Sequence, residues 1–82
     1  MKLINFLKMI DPLDNIIIWT NESDENEPEY NGSILDVPYW LLLLNIGRVD
    51  DTDEPIHISI IDHTFLDGTI RKIPSYIVNV IV

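Results

Sequence analysis

Fifteen of the 82 residues are isoleucine, set in short β-branched runs between turn-forming and acidic stretches. That pattern constrains the fold more than any other feature. Branching at Cβ stiffens χ1 and suits a pleated, half-buried surface, so these runs read as strands. "NIIIWT" (Asn15–Thr20) is expected as a central strand, with Trp19 in the core. "EYNGSIL" resumes a strand after a polar loop, with Asn31-Gly32 as a tight turn or Gly32 as a bulge. "PIHISIID" puts Ile56, Ile58 and Ile60 on one face, and Asp67-Gly68 is a hairpin signal. "PSYIVNVIV" closes the chain as a strand with Tyr76, Val78, Val80 and Val82 on one face.

Two segments carry a helical signal instead. Leu3, Phe6, Leu7 and Ile10 recur at the spacing of one helix face, with Lys2, Asn5 and Lys8 opposite, and Pro12 ends the run. A helix is expected near residues 2–10. In "DVPYWLLLLNIG", Asp36 can cap, Pro38 fits a first turn and Gly47 suits a left-handed C-terminal position, so a second helix is expected near 37–45. Leu41 to Leu44 cannot all face one core. That helix is therefore buried on two sides or offers an apolar patch to a partner. The expected fold class is α+β, a twisted antiparallel sheet with two short helices packed on one face, in a single domain over residues 1–82.

A domain this short buries only about 60% of its unfolded surface, so its stability rests on good packing or on association. Cysteine is absent, which excludes disulfides and thiolate metal sites and points to a reducing compartment. "MKLINFLKMIDP" lacks the unbroken apolar run and small-residue cleavage site of a signal peptide. The uncharged runs "VPYWLLLLNIG" and "IPSYIVNVIV" are about half the roughly 20 residues of a spanning helix. The expected location is the cytoplasm of a bacterial host cell, with no membrane contact.

The net charge of −9 is confined to one segment. Between Thr20 and Glu54, ten carboxylates (Glu22, Asp24, Glu25, Glu27, Glu29, Asp36, Asp50, Asp51, Asp53, Glu54) face a single cation, Arg48. Outside it, Asp11, Asp14, Asp62 and Asp67 balance Lys2, Lys8, Arg71 and Lys72. Nucleic acid and anionic membranes would both repel such a chain, so direct binding to either is not expected.

Catalytic and metal constellations are weak. No Gly-x-Ser-x-Gly or phosphate-loop motif is present. His57 and His63 share parity along one run with Ser59 between, and Asp62 adjoins His63 as an imaginable orienting partner. Neither histidine sits at a recognisable zinc spacing, and "DDTDE" and "DENEPE" lack the glycine and terminal glutamate of a calcium loop. The chain reads as a protein that is not an enzyme and takes no metal or cofactor.

"KLINFLKMID", "NIIIW" and "EYNGSILDVPYWLL" together resemble a group of small acidic accessory proteins carried by phages and integrative elements of low-GC Gram-positive bacteria. In that group a short opening helix ends in Ile-Asp. A strand with an Ile-Ile-Trp or Ile-Ile-Tyr run, a Tyr-x-Gly strand and an Asp-x-Pro-led helix follow. Some of these genes sit beside anti-CRISPR genes. The resemblance spans residues 1–46, whereas the tail from Arg48, with a second acidic loop and a further hairpin, departs from the pattern. It implies a mobile-element accessory protein and transfers no active-site residue.

Acids at i, i+2 spacing (Glu25, Glu27, Glu29; Asp51, Asp53) would lie roughly 7 Å apart along an extended chain, comparable with successive phosphates. The expected function is therefore binding: a non-catalytic, anti-CRISPR-like inhibitor that mimics nucleic acid. Its partner is a protein with a basic nucleic-acid-binding surface, an RNA-guided nuclease being the natural case. Glu22, Asp24, Glu25, Glu27, Glu29, Asp50, Asp51, Asp53 and Glu54 would contact it, with Tyr39 or Trp40 as an apolar anchor. The alternative is an accessory or structural domain without mimicry, forming a homodimer or larger homo-oligomer through the leucine-rich segment.

Overall fold

The computed structural model describes residues 1–47 and 54–82. The chain runs α1 (Leu3–Leu7), β1 (Asn15–Thr20), β2 (Tyr30–Ser33), two short 3-10 turns (Ile34–Asp36 and Tyr39–Leu41), β3 (Asn45–Ile46), β4 (Ile56–Thr64) and β5 (Ile70–Ile81). These five strands form one sheet. β1 lies between β2 and β5, in the central place that its isoleucines suggest. Along its other edge β5 carries both β3 and β4.

The expected antiparallel sheet is corrected in one place. β1 and β5 are parallel, Asn15 opposite Ser75 and Thr20 opposite Val80, while the other pairs are antiparallel. Parity within single strands says nothing about the relative direction of strands 60 residues apart, so the mixed sheet was not legible. β3 and β4 run in the same direction along β5, Ile46 opposite Val80 and Ile56 opposite Val78. They lie end to end along one edge of β5.

The core lies on one face, where Leu3, Phe6, Ile16, Ile18, Ile34, Leu41, Val78 and Val80 pack together. In β1 the alternation places Ile16, Ile18 and Thr20 inward, and Asn15, Ile17 and Trp19 on the opposite, half-buried side. α1 covers the core face with Leu3 and Phe6, and Phe6 meets Tyr76 edge to face at 5.7 Å. It is shorter than expected: after Leu7 the chain turns, and the Asp11 carboxylate accepts the Leu13 N–H at 2.9 Å to set the path into β1.

The second expected helix, near 37–45, does not form. Ser33, not Asp36, caps the first 3-10 turn by accepting from Leu35 N–H, and Gly47 has no left-handed backbone. The reason is tertiary. The crossover joins Ser33, level with Ser75, to Asn45, level with Ile81, on the far side of β1 and β5. Three strand spacings across and six residues along amount to roughly 24 Å. Twelve residues of α-helix would reach only about 18 Å. The chain also spends its polar backbone on the N-terminal segment: Leu44 and Leu42 carbonyls accept from Leu3 and Ile4 at 2.9 and 3.0 Å, and Ile46 N–H donates to Met1. Leu41 is buried, Leu42 and Leu44 are half-buried and Leu43 is exposed.

Neither reading of Asn31-Gly32 survives, since Gly32 pairs in register with Ile16 inside β2. The hairpin at Asp67-Gly68 does form. Gly68 takes φ +85, Phe65 N–H donates to Thr69 C=O, and Asp67 accepts from Thr69 N–H, which holds its carboxyl below the usual range. β5 starts earlier than expected, at Ile70, and passes through Pro74.

Leu41→Ala should destabilise by about 2–5 kcal/mol through loss of a fully buried side chain. Leu43→Ala should stay within about 0.5 kcal/mol. Denaturant titration of the two variants checks this. Asp14 is buried against Tyr76, whose hydroxyl donates to it at 3.4 Å. Burial, and then Asp11, push its carboxyl above the ordinary value against that hydrogen bond. The folded state therefore holds this proton more tightly, so stability is greatest below the unfolded pKa and falls as pH rises through the folded one. Asp14→Asn should raise the melting temperature at neutral pH, with the gain over the parent vanishing towards about pH 3.

Candidate docking site

The loop joining β1 to β2 holds five of the acids, and short side chains fold it. Ser23 Oγ accepts from Thr20 N–H at 2.9 Å, and Thr20 Oγ1 accepts from Glu22 N–H at 3.1 Å. Asp24 then forms a second turn, accepting from Asn26 N–H through its carboxylate and from Glu27 N–H through its carbonyl. Asn21 Oδ1 accepts from Val82 N–H at 2.7 Å and pins the loop to the end of β5. These turns correct the expected extended array. Glu25, Glu27 and Glu29 do not run along one side of a strand, so the phosphate-like spacing is not kept.

The loop instead borders a cleft of about 470 Å³ on the open face of the sheet. Trp19 and Ile77 form its apolar floor, with Thr20, Ser23, Asp24, Glu25 and Asn79 around it. Asn79 also organises the second acidic stretch. Its C=O accepts from Gly47 N–H at 3.0 Å, its N–H donates to Pro55 C=O at 2.9 Å, and its side-chain amide donates to Glu54 C=O at 2.8 Å. One residue thus bonds to Gly47 after β3 and to Glu54 and Pro55 before β4, and lines the cleft.

Glu22, Asp24, Glu25, Glu27 and Glu29 are all exposed. Glu54 is exposed too and approaches His57 Nδ1 at 3.5 Å. Asp50, Asp51 and Asp53 lie outside the described residues. Tyr39 and Trp40 are exposed on the crossover, 79% and 51%, and neither lines the cleft. The aromatic residue that accompanies the acids is Trp19, which the sequence reading assigned to the core because isoleucines surround it. Its parity, opposite to Ile16 and Ile18, was the available signal.

The cleft offers an indole face, two carboxylates and an amide. Such groups have the chemistry that suits a guanidinium or an ammonium, an aromatic ring beside carboxylates. No group of metal-binding side chains is found among the described residues. His57 and His63 share a face of β4 but lie roughly 20 Å apart along it, and Asp62 points to the other face. His63 instead packs edge to face on Phe65 at 4.8 Å, with the Arg71 guanidinium 5.6 Å from that ring. No described helix is long and apolar enough to cross a membrane. Comparisons with protein-family models, curated proteins and solved structures find no match.

Asn79→Ala removes the side-chain bond to Glu54 and leaves the ladder intact. Its expected effect is a loss of about 0.5–1.5 kcal/mol, measured by chemical denaturation.

Proposed function

We propose that this protein acts by binding and without catalysis, inhibiting a nucleic-acid-binding host or defence protein by occupying its basic surface. The observation that carries the reading is the cleft floored by Trp19 and bordered by Asp24 and Glu25 of the first acidic loop, with Asn79 bonded to Glu54 beside it. The −9 charge of the segment steers a basic partner, and the cleft gives one of its arginine or lysine side chains a specific seat. The resemblance of residues 1–46 to mobile-element proteins makes an RNA-guided nuclease the first target to test. Its nucleic-acid groove has the required charge. The protein acts in the cytoplasm of the bacterial host, where such a nuclease works.

A self-associating accessory domain is the second reading, favoured by the exposure of Tyr39, Trp40 and Leu43 on the crossover. Light scattering separates the two, since this rival needs a tight oligomer that Leu43→Glu abolishes.

Target-DNA binding by a purified, guide-loaded nuclease should be lost on adding the protein at about 50 mM salt and recover towards 200 mM, as exposed charges are screened. Replacing Glu25, Glu27 and Glu29 together by glutamine should slow association and flatten the salt dependence, with the melting temperature unchanged or slightly raised. Asp51→Asn with Asp53→Asn should act in the same direction, and Asp62→Asn with Asp67→Asn should do little. Trp19→Ala should speed dissociation. A triple glutamine variant that inhibits like its parent across the salt series would reduce the acids to a solubility device.

A further inference from the structure

β4 and β5 extend beyond the rest of the sheet. β1 begins opposite Ser75, so among the described strands residues 60–74 of β4 and β5 pair only with each other. This arm has two open edges, and they differ. Phe65 N–H donates to Thr69 C=O and Asn79 N–H to Pro55 C=O, which fixes the alternation of the antiparallel ladder between them. Odd-numbered residues of β4 turn their backbone groups to β5. Even-numbered ones, Ile56 to Thr64, turn theirs outward.

On the β5 side the outward positions are Ile70, Lys72 and Pro74. Proline has no N–H to give and lysine resists desolvation, so this edge is blunted. The β4 edge carries no proline or lysine, and Asp62 is its one outward charge. Its outward positions are Ile56, Ile58, Ile60, Asp62 and Thr64, and Ile58 and Ile60 are 57% and 61% exposed. Charge says what can approach. The arm is neutral, Asp62 and Asp67 balancing Arg71 and Lys72, whereas all of the chain's net charge lies in residues 20–54. Two copies repel through their acidic segments and not through their arms.

We propose that β4 is a dimerisation edge, and that a second copy adds its own β4 antiparallel about a two-fold axis at Ile60. Only even-numbered residues have free backbone groups, so an even residue must lie opposite an even one. With Ile60 opposite Ile60 of the partner, the midpoint of a nine-residue strand, every residue of β4 pairs over about 30 Å. Slipping the register by two sets Asp62 against Ile56 or Ile60 and leaves two residues of each β4 without a β4 partner, and slipping it by four sets Asp62 against Glu54 or against a second Asp62, where like charges repel. The five outward residues then exchange backbone hydrogen bonds, and the isoleucines of the two arms cover one another. This interface is separate from the cleft and from the crossover leucines, and it stands whether or not the cleft binds a basic partner.

Light scattering across a concentration series tests it, with amide exchange followed by NMR. The parent should have twice the 9.5 kDa protomer mass. Amides of Ile58, Ile60 and Asp62 should be protected in proportion to dimer content, although they face away from β5. Ile60→Pro removes one outward N–H and leaves the ladder to β5 whole. It should give a monomer with an unchanged circular dichroism spectrum. Ile58→Lys with Ile60→Lys should do the same by charge and serves if the proline variant does not fold. Leu43→Glu should leave the dimer intact. A parent that stays monomeric at about 100 μM, well above the micromolar range of an ordinary interface, would overturn the proposal. So would a dimer that survives in a folded Ile60→Pro or double lysine variant, or open-ended aggregation in place of a closed dimer.

Discussion

The parallel pairing of β1 with β5 is the contact on which the rest of the molecule depends. It joins residues 15–20 to residues 75–80 and supplies Ile16, Ile18, Val78 and Val80 to the core. A contact of this sequence separation closes nearly the whole chain into one loop, so it must be repaid by buried apolar surface. β2 attaches to the outer edge of β1, and the crossover and α1 cover the pair on one face. β3 and β4 attach to the far edge of β5.

One-sided coverage has two consequences. The half-buried residues of the other face, Ile17, Trp19 and Ile77, stay within reach of solvent. The loop after β1 borders that same face, so Asp24 and Glu25 stand beside an apolar floor. The cleft follows from the strand order. Had β5 paired with β1 in another register, Asn79 would not stand beside Trp19.

The arm shows how edges are managed in a sheet with few strands. Pro74 and Lys72 protect one side of β5, where β1 has not yet begun, and β4 protects the other. The strand that protects is itself unprotected. This region is neutral, Asp62 and Asp67 balancing Arg71 and Lys72, whereas the net charge of the chain lies in residues 20–54.

The sequence by itself determined the local properties. The isoleucine runs became β1, β4 and β5, the alternation of Ile16 and Ile18 or of Tyr76, Val78 and Val80 set which face is buried, and Asp67-Gly68 made the hairpin. The concentration of acid between Thr20 and Glu54 was likewise written in the chain. These features depend on a few neighbouring residues, and local chemistry decides them. Only the tertiary structure decided the rest: the parallel direction of β5, the loss of the 37–45 helix to a span that a helix cannot bridge, the cleft beside half-buried Trp19, and the bond from Asn79 to Glu54. Each depends on where a distant strand lies, and pairing free energy between strands sixty residues apart leaves no mark on the sequence of either one.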